Sequence, residues 1–234
     1  MCGRFRLGKG KAALREYFGA DSDVDWSPRY NIAPTDAIPT VRQDRKQPVR
    51  KLTLMKWGLI PYWSKDASGA ARMINARSES AASKPAFRDS LQTRRCLIPA
   101  DGFYEWKKPE KQPYCFTLKD GSLFAFAGIW DRWRAPDGNT VESCSILTGE
   151  PNELARPIHD RMPVILPPDA YELWLDPGFT NLEGVAEMLE PFSASQMKSF
   201  PVSSRVNSVQ NDDAECGEPM AERSTPPTTA SLFG

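Results

Sequence analysis

From Val49 to Leu166 the chain is cut into short β-prone runs by turn residues, and no other feature restricts its fold as much. Arg50 to Trp57 alternates roughly by two and stops at Gly58. Arg95 to Trp106 reads as two strands broken at Pro99 and Asp101-Gly102. Tyr114 to Leu118 and Leu123 to Trp130 flank Lys119-Asp120-Gly121-Ser122, which predicts a hairpin. Asp137-Gly138-Asn139 leads into a strand over Ser143 to Thr148, and Pro163 to Leu166 predicts one more. Helical spacing is confined to Lys9–Phe18, Ser78–Ser83, Pro168–Leu175 and Leu182–Leu189. There is no internal repeat and no strand–helix–strand alternation. The class predicted is α+β, a single domain with a barrel-like antiparallel β core and peripheral helices. Before the strands, Pro28, Pro34 and Pro39 are expected to exclude a central strand or helix.

The domain is expected to span residues 1–210, followed by a disordered, acidic, Pro/Thr-rich tail over 211–234. Lys+Arg and Asp+Glu are 30 each, and the tail holds five of the acids and one base. The body therefore carries 29 bases against 25 acids, compatible with a groove for a polyanion. Five scattered cysteines without a C-x-x-C pair read as reduced cytoplasmic thiols. No apolar run approaches the ~18 residues of a membrane span. A single histidine and unclustered cysteines argue against a metal, and no cofactor is expected. The expected location is the cytoplasm, nucleoid-associated in a bacterium, and the expected state is a monomer.

Cys2 stands out by position. Removal of Met1 would leave an α-amine and a thiol on one residue, both partly deprotonated near neutrality. An aldehyde can form an imine with such an amine, and the thiol can then close a thiazolidine. An ordinary buried cysteine is the alternative. Asn75, between apolar neighbours, is either a satisfied structural amide or a donor that positions a reacting group. Glu105 lies in Phe103-Tyr104-Glu105-Trp106, where desolvation by aromatic neighbours would raise its pKa and suit it to acid–base work. His159, the only histidine, is the natural proton shuttle. Arg4, Arg77 and Arg161 each fall within two residues of Cys2, Asn75 or His159, as an anionic substrate backbone would require. Trp63 and Trp106 can stack on bases or fill a core.

Six ordered motifs resemble the SOS-response-associated peptidase family, whose members process abasic sites. They are Met-Cys-Gly-Arg-Phe at 1–5, Arg-Tyr-Asn-Ile-Ala-Pro at 29–34, Trp-Gly-Leu-Ile-Pro at 57–61, Ile-Asn-Ala-Arg-Ser-Glu at 74–79, Gly-Phe-Tyr-Glu-Trp at 102–106 and His-Asp-Arg-Met-Pro at 159–163. The resemblance implies a barrel-like β core and a groove for single-stranded DNA containing abasic sites. It implies that Cys2 captures the ring-opened aldehyde as a thiazolidine; the imine on the way can also trigger β-elimination, a weak lyase side path, and a peptidase activity would have the chain's own Met1–Cys2 bond as its simplest substrate. Catalytic positions carried over are Cys2, Asn75, Glu105 and His159; DNA-lining positions are Arg4, Asn31, Arg77, Trp106, Thr148 and Arg161. Lys84 departs from the family's usual basic position and its role stays open. Competing readings are a cysteine peptidase or N-terminal-nucleophile hydrolase, and a non-catalytic single-strand-binding module. At the far end, Leu232 and Phe233 form an apolar pair that suggests a sliding-clamp anchor.

Overall fold

The computed structural model describes residues 2–43 and 48–220. Fourteen strands appear in the order β1 (Phe5–Leu7), β2 (Asp21–Ser22), β3 (Arg29–Ile32), β4 (Ala37–Gln43), β5 (Arg50–Trp57), β6 (Asn75–Arg77), β7 (Arg95–Ala100), β8 (Gly102–Lys107), β9 (Gln112–Leu118), β10 (Phe124–Arg134), β11 (Thr140–Gly149), β12 (Met162–Pro163), β13 (Ile165–Leu166) and β14 (Met197–Pro201). Around them lie the short helices α1 (Lys11–Phe18), α2 (Ser78–Ala81), α3 (Arg88–Thr93), α4 (Tyr171–Leu175) and α5 (Leu182–Glu187). Helix α1 stops where expected, because Gly19 adopts the left-handed conformation that a side chain resists.

The strands form two sheets. One runs β14-β9-β8-β1-β3; in the other, β11-β10-β7-β4-β5 closes on itself through a parallel β11–β5 ladder. That closure makes the core a barrel, as the short-strand pattern predicts, but a mixed one: where an antiparallel core was expected, the closing ladder is parallel, and parallel β2–β5 and β6–β11 pairs are added to it. Closure needs Gly58, at φ 134°, since a Cβ there would stand 2.6 Å from the Ala70 carbonyl oxygen. Between the sheets the core is aromatic. Phe5 packs edge-on against Trp57 at 5.2 Å and Phe126 at 5.7 Å, while Phe103 stacks on Phe116 at 4.8 Å. Each such fully buried ring contributes about 1.5–3 kcal/mol. Phe5 thereby fixes the start of the chain against both sheets.

Arg95 docks the helices. Fully enclosed, it donates to the carbonyls of Leu91, Gln92, Trp174, Asp176 and Phe179 at 2.6–3.0 Å, which serve the open C-terminal ends of α3 and α4.

Three expectations need correction. The 119–122 turn does not close a hairpin: β9 pairs with β8 and β14, whereas β10 pairs with β7, β11 and β13. The turn carries the chain from one sheet to the other, because each neighbouring strand already has partners within its own sheet. Pro39 does not exclude a central strand; it lies within β4, opposite Leu54. Strand β4 meets β7 only at Val41–Leu97, so on that side the missing N–H interrupts no ladder. Finally, the chain stays folded beyond 210. The Asp212 carboxylate accepts from the backbone N–H groups of Tyr30 and Asn31 at 2.6 and 2.7 Å, and pairs with Arg29. It satisfies donors of the edge strand β3, and Cys216 behind it is completely buried. The anchor suggested at Leu232 and Phe233 lies outside the described residues. Among the described residues no helix is long and apolar enough to cross a membrane.

Candidate active site

Four segments converge at the point where the sheets meet. Strand β1 pairs with β8 through Phe5 and Phe103, and the Tyr104 N–H donates to the Arg4 carbonyl at 3.0 Å, setting Cys2 beside Glu105. Strand β6 lies parallel to β11 with Asn75 opposite Ile146, and β12 pairs with β11 through Pro163 and Thr148. These ladders bring Asn75 and the 159–161 loop to the same place. Asn75 Nδ2 donates to the Cys2 carbonyl at 2.8 Å. His159 Nε2 stands 3.9 Å from Glu105 Oε2. Cys2, Asn75, Glu105 and His159 are therefore one cluster, although they span most of the sequence.

Burial sets the charge states. Cys2 is inaccessible to solvent, and desolvation, followed by the charge of Glu105, pushes its thiol well above the ordinary range. Glu105 is 3% exposed, and desolvation raises its carboxyl to about 7. Burial also lowers His159, against the opposing pull of Asp160. Its Nδ1 is engaged by the Arg161 N–H at 3.0 Å and lies 3.0 Å from Asp160 Oδ1, so Nε2 is the nitrogen turned to Glu105. Asn75 Oδ1 is buried with no hydrogen-bond partner among the described residues, an acceptor available to a substrate or amine. The set can accept, hold and return a proton at neutral pH beside a thiol. Among the described residues no group of three or more His, Cys, Asp or Glu could hold a metal ion.

The outer residues divide. Arg77, exposed, precedes α2 and sits opposite Thr148 in the β6–β11 register. Arg161 forms a forked pair with Glu79, both bonds 2.8 Å, and donates to the Thr148 carbonyl at 2.5 Å. The Thr148 side chain is itself buried. Trp106, partly exposed, donates from Nε1 to Asn207 Oδ1 at 2.8 Å, with the Arg4 guanidinium 6.0 Å from its ring centre. Arg4 donates to Asn31 Oδ1 and the Val206 carbonyl at 2.8 and 2.9 Å. Asn31, expected to line the DNA, faces inward. It is completely buried, and its amide nitrogen faces the carbonyls of Val206, Ser208 and Asn211 at 2.7–3.2 Å. Its donors tie the 206–211 segment to β3 and present nothing to a strand outside.

Two side chains at the site were not singled out from the sequence. Glu79 occupies the Arg161 fork, and its place at the end of Ile-Asn-Ala-Arg-Ser-Glu was the available signal. Asn207, which holds Trp106, carried no comparable signal before the fold placed it. Trp63 joins Tyr62 in an exposed aromatic pair, 52% and 56% accessible, so it fills no core.

The family model described as SOS response associated peptidase (SRAP) matches residues 1–209. Abasic site processing protein YoqW of Bacillus subtilis is 42% identical over 221 residues, covering 92% of this chain and 98% of its own. Abasic site processing protein HMCES of Gallus gallus is 32% identical, over 94% of this chain and 78% of its own. A crystal structure of a protein from Bacteroides thetaiotaomicron superposes with a TM-score of 0.85 at 27% identity, covering 94% of this chain and all of the other.

Proposed function

This chain belongs to the SOS response associated peptidase family, and from that premise we propose that it processes abasic sites in single-stranded DNA by capturing them covalently on Cys2. The observation that carries the reading is the juxtaposition of Cys2, held through its carbonyl by Asn75, with the Glu105–His159 pair. The names of the similar proteins point to the same substrate.

Removal of Met1 frees the Cys2 amine. His159 relays a proton to the ring oxygen of the closed deoxyribose as the anomeric hydroxyl gives one up, opening the ring to the aldehyde. The amine adds to the aldehyde carbon, and the resulting carbinolamine loses water to give an imine. The Cys2 sulfur then adds to the imine carbon while its proton passes to nitrogen. The product is a thiazolidine, and one water is released overall. Because burial holds the thiol protonated, sulfur needs a base at the moment of attack; Glu105, near 7, is ionised in a large fraction of molecules at neutral pH. Fixing amine, thiol and aldehyde together gains the effective concentration of an intramolecular reaction. The exposed Tyr62 and Trp63 and the arginines Arg77 and Arg161 offer stacking faces and cations to an unpaired strand. Ring closure also removes the imine that would drive β-elimination, which keeps lyase chemistry a side path.

The test is incubation of Met1-free protein with single-stranded oligonucleotides containing or lacking one abasic site, followed by a denaturing gel. A slow-migrating band only with the abasic strand is expected. Equal bands with both strands, or cleavage without an adduct, would overturn the reading.

A further inference from the structure

About six residues back along β11 from Thr148, a distance of ~20 Å at the rise of a strand, the barrel carries a second concentration of positive charge. A cavity of about 400 Å3 opens there, lined by Arg42, Lys51, Arg94, Trp130 and Arg132 among others. The cations come from four elements, β4, β5, β10 and the C-terminal end of α3, and the fold brings Arg94 and Arg132 to the basic 42–51 stretch. Arg42 and Lys51 are direct partners across the antiparallel β4–β5 ladder, an arrangement of like charges that costs stability when nothing neutralises it.

Neutralisation is incomplete. Glu142 Oε1 accepts from both Arg42 Nη1 at 3.0 Å and Arg132 Nη2 at 2.6 Å, while Arg94 Nε lies 3.3 Å from Asp131 Oδ1. Among the described residues, three carboxylates thus accompany four cations: Glu142, Asp131, and Asp21 opposite Lys51 in the β2–β5 ladder. Lys51 and Arg132 remain exposed. The Arg42 guanidinium sits 4.5 Å over the Trp130 ring, which holds it in place and covers that face against a stacked base.

We propose that this cavity is a second nucleic-acid site that binds the phosphates of a single strand through Lys51, Arg132, Arg94 and Arg42 without reading bases. Forked arginines suit phosphate oxygens, and Lys51 adds a point charge. With a face of its one aromatic wall covered, the cavity offers a backbone contact and little for a free base. The rise along β11 from Thr148 to Glu142, ~20 Å, is the length of about six stacked nucleotides. The inference does not depend on chemistry at Cys2, because it concerns strands with no abasic site.

The experiment is fluorescence-anisotropy titration of an intact labelled 16-nucleotide single strand across a salt series. It compares wild type with Lys51→Gln/Arg132→Gln, whose side chains are exposed, and with an equally charge-reduced control, Arg15→Gln/Lys198→Gln; thermal melts check that each variant folds. The pocket variant is expected to bind more weakly, with a log–log salt slope smaller by ~1.4, the loss of two single-strand phosphate contacts. The control should keep the wild-type slope. Competition with thymidine monophosphate and with an oligoglutamate of matched charge separates the sources of anion. Either overturns the proposal if it displaces the strand from wild type as well as the unlabelled strand does. A wild-type slope in the pocket variant, or the same loss in the control, also overturns it.

Discussion

The two ends of β11 use charge in opposite ways. Near Thr148, Glu105 is buried, and Arg161 is held by Glu79 and a backbone carbonyl. Near Glu142, cations outnumber carboxylates among the described residues, and two of the cations are exposed. Burial shifts protonation, because desolvation penalises the charged form; that is how a carboxyl comes to titrate near neutrality. Exposure leaves a charge available to a partner. The first arrangement suits a reaction and the second suits binding.

The sharpest way to break that contrast is to remove the proposed nucleophile. Cys2→Ala should abolish the gel-stable adduct with abasic single strands and leave affinity for intact strands unchanged. An adduct of wild-type yield in this variant would remove the catalytic end from the comparison.

Next come the two groups proposed to carry protons. Glu105→Gln and His159→Ala should each slow adduct formation by about 10²–10⁴-fold in single-turnover measurements. The sign of the stability effect of Glu105 follows from its raised value of about 7. A carboxyl raised on folding contributes stability below the ordinary carboxylate range and loses it as pH rises through the folded value. The thermal midpoint of Glu105→Gln relative to wild type should therefore rise between pH 5 and pH 8. A difference independent of pH would place Glu105 in a solvated setting.

Asn31 tests where the catalytic end stops and its scaffold begins. Asn31→Ala should cost about 1–3 kcal/mol in denaturant unfolding, because carbonyls of 206–211 lose a buried donor. Full stability with weaker DNA binding would return it to the strand-lining set.

The smallest effects belong to the surface. Arg77→Ala and Arg161→Ala should each reduce the single-strand salt slope by ~0.7. Glu79→Gln should tighten intact-strand binding by at most about fivefold, since an exposed ion pair is worth about 0.2–1 kcal/mol. Weaker binding in Glu79→Gln would show that the fork positions Arg161 for the strand and does not compete with it.

Local physics made much of this legible in advance. Short alternating runs stopped by glycine and turn residues predicted the strands and the α+β class, and Gly19 marked the end of α1. Residue type and neighbours singled out Cys2, Asn75, Glu105 and His159, which the fold gathers into one cluster, and aromatic flanks foretold the desolvation of Glu105. Pairing was not readable. A turn of hairpin composition at 119–122 joins two sheets, because a turn fixes the reversal of the chain while partners are chosen by which faces bury together. Pro39 inside β4 depends on the absence of a ladder along one edge, a fact about β7 and not about residue 39. Asn31 and Asp212 looked like a strand contact and a tail acid, yet each satisfies backbone groups brought close only by folding. The basic cavity was the least visible of all: Arg94 and Arg132 lie far in sequence from the basic 42–51 stretch, and only closure of the barrel sets them beside it.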